Sequence, residues 1–216
     1  MRFLDLRDWE LMAHAQAVSP DPCPLPKGLE PIHIRKAVDF VEAHVLDLVE
    51  LYYEQANIFS AIMGIFGAKA VDAVSPYKRH KHPDVMQQRF PDLSLGGQLN
   101  PPAELALESK GSTRPWPIQS HYDHPGWYIV WRYLVDPVQA IKPGRPVVIW
   151  RADVVFVHKK DWKYEGSKAS ASGGGRTHTF GVRRPAAKLK GCAAYVLDGI
   201  KIVGGKPVLT STAVKS

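Results

Sequence analysis

Cysteine is scarce in this chain, with two residues, Cys23 and Cys192, among 216. Two thiols so far apart build neither a disulfide framework nor a cysteine zinc cluster, so a reducing, cytoplasmic setting is expected. An apolar signal core is missing too, because the N-terminus, MRFLDLRDWELM, carries charge throughout. No uninterrupted apolar run approaches membrane-spanning length, so a soluble protein with no membrane partner is expected. Internal repeats are lacking. Acidic residues fall short of basic ones, 21 against 28, leaving a net charge of +7 and an isoelectric point near 9.4. Such an excess points to a polyanionic partner. Hydrophobic residues, at 45%, are ample for the core of a single domain over 1–216.

The most informative stretch runs from Arg89 to Ser112, RFPDLSLGGQLNPPAELALESKGS. Pro91-Asp92 is followed by turn residues (Gly96 to Pro102), an apolar run (Ala103 to Leu107) and then Glu108-Ser109-Lys110. In a strand, side chains alternate faces, so Glu108 and Lys110 share a face and Ser109 takes the other. The turn residues allow a hairpin that returns Asp92 to the side of Glu108. Two carboxylates at a strand end offer Mg²⁺ half of its oxygen shell. A neighbouring lysine can hold or deprotonate an attacking water and counter phosphate charge. The plainer reading of Glu108 and Lys110 is a surface ion pair.

Asp92, Glu108 and Lys110 resemble the motif of the PD-(D/E)XK nucleases, the superfamily that includes most type II restriction endonucleases. The resemblance covers roughly residues 50–157. It implies an α/β fold with a restriction-endonuclease-like core, a mixed central sheet flanked by helices. It also implies Mg²⁺ (or Mn²⁺) held by Asp92, Glu108 and the Ser109 backbone carbonyl, with Lys110 acting on the water. Some members bring a first-helix glutamate to the metal. Glu54 matches that role best, and a solvated helix glutamate is the alternative.

Around this centre the N-terminal third (1–75) reads as mainly helical. Asp5 to Ala17 is a short helix candidate, ended by SPDPCPLP. From Ile32 no proline occurs until Pro76, and Val38, Val41, Val45, Leu48 and Tyr52 recur at helical spacing. Ile58, Phe59, Ile62, Met63, Ile65 and Phe66 make the next segment apolar nearly all round, which argues for burial in the core or a dimer interface. Gly64 and Gly67 mark a break or a close helix crossing. Tyr77 to His82 is a basic cluster in which Lys78, Arg79 and Lys81 are candidate phosphate contacts, or else a solvated loop. His80, His82, His121 and His124 match no closed zinc template. Asp84 reads as the cap of a helix over VMQQRF.

Residues 85–158 read as the sheet core. Trp127 to Asp136 is apolar on both faces, the pattern of a central strand. Arg132 is the exception there, a candidate for a phosphate or for pairing with Asp136. Val147 to His158 is the next strand, with a bulge expected near Ala152. In 159–216, a Gly/Ser/Ala-rich segment precedes a short strand candidate, Thr177 to Val182, bracketed by Arg176, His178, Arg183 and Arg184. Arginine is the commonest reader of guanine, so this hairpin is the candidate for base contacts or for a phosphate clamp, with Arg114 in the loop to His124 as the other reader. Cys192 to Val203 reads as a strand or hairpin turning at Asp198-Gly199, and Lys206 to Ser216 as a frayed end.

The function expected is Mg²⁺-dependent cleavage of double-stranded DNA by a type II restriction enzyme, dimeric so that one site per chain serves each strand. A structure-specific repair or recombination nuclease and a catalytically inactive DNA-binding protein are the alternatives.

Overall fold

The computed structural model of the chain describes residues 17–18, 23–86, 89–168 and 177–210. Its helices are α1 (Pro31–His44), α2 (Val49–Glu54), α3 (Ala56–Val74) and the short α4 (Pro185–Lys188). Its strands are β1 (Ala17–Val18), β2 (Tyr77–Lys78), β3 (Leu93–Leu95), β4 (Ala106–Ser112), β5 (Gln119–Ser120), β6 (Gly126–Val135), β7 (Val147–Val157), β8 (Trp162–Lys168), β9 (Thr177–Val182), β10 (Ala193–Leu197), β11 (Ile200–Val203) and β12 (Lys206–Leu209).

Pro31 supplies the fixed φ that suits a helix start, and a reciprocal cap between Glu30 and His33 closes the first turn of α1. The helical periodicity of this region is carried by three helices, not one. A 3₁₀ turn at Leu46–Leu48 and the non-helical Gln55 divide them. The apolar face runs on through both bends, with Leu48, Leu51 and Tyr52 packed against the same core, so residue spacing does not reveal them. Gly64 and Gly67 break nothing. They lie inside α3 and let it approach the sheet: a Cβ on Gly67 would come within 1.8 Å of the Trp131 indole nitrogen. By length and composition alone α3 could cross a membrane, although Asn57, Ser60, Lys69 and Asp72 interrupt its apolar run. In the fold its Phe59, Met63, Ala68 and Val71 are core residues.

Seven strands form the main sheet in the order β1-β10-β7-β6-β4-β3-β2. Only β4 and β6 run parallel, so the architecture is α/β with a mixed central sheet. The long helices lie on one face, where α1 and α3 cover Leu107, Ile129, Trp131, Tyr133 and Ile149. The other face is covered by a three-stranded sheet, β5-β9-β8, and α4 instead of by long helices. Tyr128, Val130, Val155, Trp162 and Leu189 fill the space between. A parallel pair cannot be joined by a tight turn. The chain therefore leaves β4, crosses that second face through 113–125, and re-enters as β6.

Several expectations change. Residues 83–86 form a turn and 89–90 a bend, so the described part of VMQQRF is not helical, and the Asp84 amide bonds His82 Nδ1 instead of starting a helix. Ala17 is paired in β1, and the remainder of the predicted Asp5–Ala17 helix lies outside the described residues. Arg132 pairs with Asp153, not Asp136, because the β6–β7 register, with Arg132 opposite Arg151 and Val130 opposite Asp153, makes them diagonal neighbours on one face. The β7 bulge is at Trp150, which has no partner on β6, two residues from the position expected. Lys206–Leu209 is not frayed: β12 pairs with β11 across Gly204-Gly205, whose φ of +57° and +76° suit a two-residue hairpin turn.

Candidate active site

The β3–β4 hairpin pairs Leu93 with Leu107. That register sets Asp92, just before β3, beside Glu108, just after Leu107. The two residues clasp each other through backbone amides. The Asp92 amide donates to Glu108 Oε2 at 3.1 Å, and the Ser109 amide donates to Asp92 Oδ2 at 2.9 Å. Lys110 shares the Glu108 face, as strand alternation requires, and its Nζ donates to Glu108 Oε1 at 2.6 Å. Glu108 is only 8% exposed, so this is not a surface ion pair.

Ser109 takes the opposite face and anchors the strand. Its hydroxyl donates to the Gly64 carbonyl at 2.7 Å and accepts from the Trp131 indole at 2.9 Å. Gly64 permits this approach, since a Cβ there would sit 3.0 Å from the Ser109 carbonyl oxygen. An extended residue directs its N–H and C=O toward the same side, so the Ser109 carbonyl faces the Asp92 edge.

Burial pushes the Asp92 carboxyl up to about 6, with the Glu108 carboxylate as the second cause. The Lys110 ammonium, the Ser109 amide and the more distant Arg79 guanidinium act against that rise. Tyr128, across from Glu108 on β6, is fully buried, and its hydroxyl donates to the His124 carbonyl at 3.0 Å. Burial raises its phenol, and the charges of Glu108 and Asp92 add to the effect.

The arrangement thus joins Asp92, Glu108, Ser109 and Lys110, with Arg79 in electrostatic reach. The other expected residues lie elsewhere. Glu54 ends α2, exposed, with no hydrogen bond or ion pair among the described residues. Lys78 is tied by its ammonium to the Asp72 carbonyl. The Arg79 amide bonds Asp72 Oδ1 at 2.8 Å, while its guanidinium reaches the Ile65 carbonyl at 3.4 Å. Lys81 is exposed. Arg114 is an exposed side chain on a loop fixed from below by Arg132, which donates to the carbonyls of Arg114, Trp116 and Pro117. His178, exposed on β9, bonds the Tyr164 hydroxyl at 2.9 Å. Arg183 and Arg184 are exposed where β9 meets α4, the Arg183 Nε donating to the Trp162 carbonyl. Arg176 lies outside the described residues.

Sequence reasoning missed Tyr128 beneath the carboxylates, because only the parallel β4–β6 register puts it there. It also missed an aromatic stack beside Asp92. Phe90 and His124 stack at 4.6 Å, and Tyr122, 62% exposed, lies 5.3 Å from His124. The spacing of SHYDHPG after the Glu-x-Lys strand was the available signal.

The donors gathered here are hard oxygens: the two carboxylates and the Ser109 carbonyl. Among the described residues no cluster of three or more His, Cys, Asp or Glu occurs, so a cation here would complete its shell with water. That combination fits Mg²⁺ in kind, since Mg²⁺ takes one or two carboxylates and keeps several waters. The raised Asp92 carboxyl fits as well, because burial and the Glu108 carboxylate both disfavour its charge and a cation would offset both. In comparisons with known proteins, no family model, no curated protein and no solved structure matches this chain.

Proposed function

We propose that the protein is a Mg²⁺-dependent nuclease that hydrolyses phosphodiester bonds of double-stranded DNA on a restriction-endonuclease-like core, in the role of a type II restriction enzyme acting as a homodimer. The observation that carries this reading is the clasp of Asp92 and Glu108 with the Lys110 ammonium on it, at a strand end in a basic chain. Asp92, Glu108 and the Ser109 carbonyl would hold the metal, with Mn²⁺ as substitute. When bound, it would supply positive charge against the developing phosphorane. Lys110, released from Glu108 Oε1, would orient the attacking water through its ammonium or, once it has lost its own proton to solvent, take the water's proton as a neutral amine. The new bond joins water oxygen to phosphorus, and the ester oxygen on the far side departs. Ser109, pinned to α3, keeps the Asp92 carboxylate aimed.

One observation favours a second reading. The Phe90–His124 stack with Tyr122 tilted against it, exposed at Tyr122 and His124, suits an unpaired base, as a nuclease specific for DNA structure would require.

The test is incubation of plasmid and of flap, junction and mismatch substrates with Mg²⁺, comparing wild type with Lys110→Ala. Discrete plasmid bands support restriction, and cutting confined to branched substrates supports the second reading. Removing one preorganised group commonly costs about 3–4 kcal/mol in the barrier, so Lys110→Ala should lose cleavage by two orders of magnitude or more while keeping DNA binding. Full activity in that variant rules the site out.

A further inference from the structure

The face of the main sheet that carries Glu108 and Lys110 has a second charged centre. Arg132 and Asp153 are completely buried, joined at 3.0 Å, and Arg151 joins the same carboxylate at 2.6 Å. Two guanidinium ions therefore share one carboxylate, leaving one positive charge uncompensated. A buried charge is ordinarily matched by a partner. Arg132 uses all three of its nitrogens, on Asp153 and on three loop carbonyls. Arg151 does not. Its Nε is bound to Asp153 and its guanidinium is held over the Trp116 ring at 5.2 Å, but among the described residues its two terminal nitrogens have no acceptor.

The excess charge borders open space. Arg151 and Trp116 line a cavity of ≈ 370 Å³, open to solvent, with Leu189, Lys190 and the small Ala186 and Ala187 around it. Lys190 is exposed and adds a second cation, and no acidic side chain lines the cavity. A guanidinium fixed in plane, with free paired donors, matches an oxyanion in a way a mobile ammonium alone does not. The volume exceeds what a bare phosphate fills and admits the sugar attached to it.

We propose that this cavity is a binding subsite for a phosphate of the bound nucleic acid, separate from the candidate active site. Lys110, Val130 and Asp153 are neighbours across β4, β6 and β7. Two strand spacings and two residues along β7 then put Arg151 roughly 12 Å from Lys110 on the same face. A strand seated at Glu108 and Lys110 can present a different phosphate there. The inference rests on the nucleic-acid half of the proposed function and not on cleavage.

The experiment measures binding of a short fluorescent DNA duplex in chelator, across a salt series. It compares wild type, Arg151→Gln, Lys190→Gln and, as a control on the β11–β12 hairpin, Lys201→Gln. Asp153 keeps Arg132 as its partner when Arg151 is removed, so the fold should survive, and melting checks this. If Arg151→Gln does not fold, Lys190→Gln, at an exposed position, decides alone. Each cavity variant should weaken binding roughly tenfold at low salt and reduce the salt slope by about 0.9, one phosphate contact. Lys201→Gln should change neither as much. Unaltered affinity in both cavity variants, or an equal loss in Lys201→Gln, overturns the inference, while wild type that binds no duplex sinks the proposed function with it. A second arm titrates thymidine 5′-monophosphate by tryptophan fluorescence. If Arg151→Gln abolishes that binding and spares the duplex, the cavity serves a free nucleotide and the nucleic-acid assignment is overturned.

Discussion

Asp92 is held in a site that does not favour its charge. Its carboxyl is raised to about 6 by burial and by Glu108, so the native chain binds this proton more tightly than the unfolded chain does. That contribution to stability is fully present below the ordinary carboxylate range and is lost as pH rises through about 6. Asp92→Asn removes the ionisation and keeps an oxygen for the Ser109 amide. In metal-free buffer at pH ~8 the variant should therefore be more stable than wild type by about 1–2 kcal/mol, and at pH ~4 the gain should vanish. Thermal melts at the two pH values check this, and a less stable variant at the higher pH contradicts it. A cation must displace the same proton, so its affinity should fall as pH drops through this range.

At the scale of elements, α3 and β4 meet through glycines. A Cβ on Gly67 would strike the Trp131 ring, which fills the space beneath and donates to Ser109 Oγ. Gly67→Ala should cost about 1–3 kcal/mol, as overpacking does. Because Trp131 and Ser109 are linked, it should also lower activity more than a remote substitution of equal cost, which denaturant titration and an activity assay together would reveal. The β3–β4 hairpin and the shared face of Glu108 and Lys110 were legible in the sequence, because turn residues and strand alternation act locally. The two long strands β6 and β7 were legible for the same reason. Arg132 and Asp153 were not, since their pairing depends on register between separate strands, nor was the parallel neighbour Tyr128. The bends at Leu46–Leu48 and Gln55 escaped because they leave the apolar face continuous. Glu54 illustrates the cost of carrying a role over by position alone: α2 ends in solvent with that side chain exposed.

For the whole molecule, the net charge of +7 predicts DNA binding that weakens steeply with salt. Mg²⁺ or Mn²⁺ should support cleavage, while Ca²⁺ should support binding without turnover, its looser geometry misplacing the reacting oxygens. Gel shift and digestion in each metal test this, and activity undiminished in excess chelator contradicts it. The main sheet also has unequal halves. At its centre β4, β6 and β7 are paired over long stretches, whereas β3 meets β4 and β2 through two residue pairs each. Short ladders open often without global unfolding. The candidate site straddles that boundary, with Glu108 and Lys110 on the durable side and Asp92 on the other. Deuterium should therefore replace the Ser109 amide proton, whose acceptor is Asp92, long before the ladder amides of β6 and β7 exchange. Cation binding should slow that replacement by fastening the loose edge to the firm one.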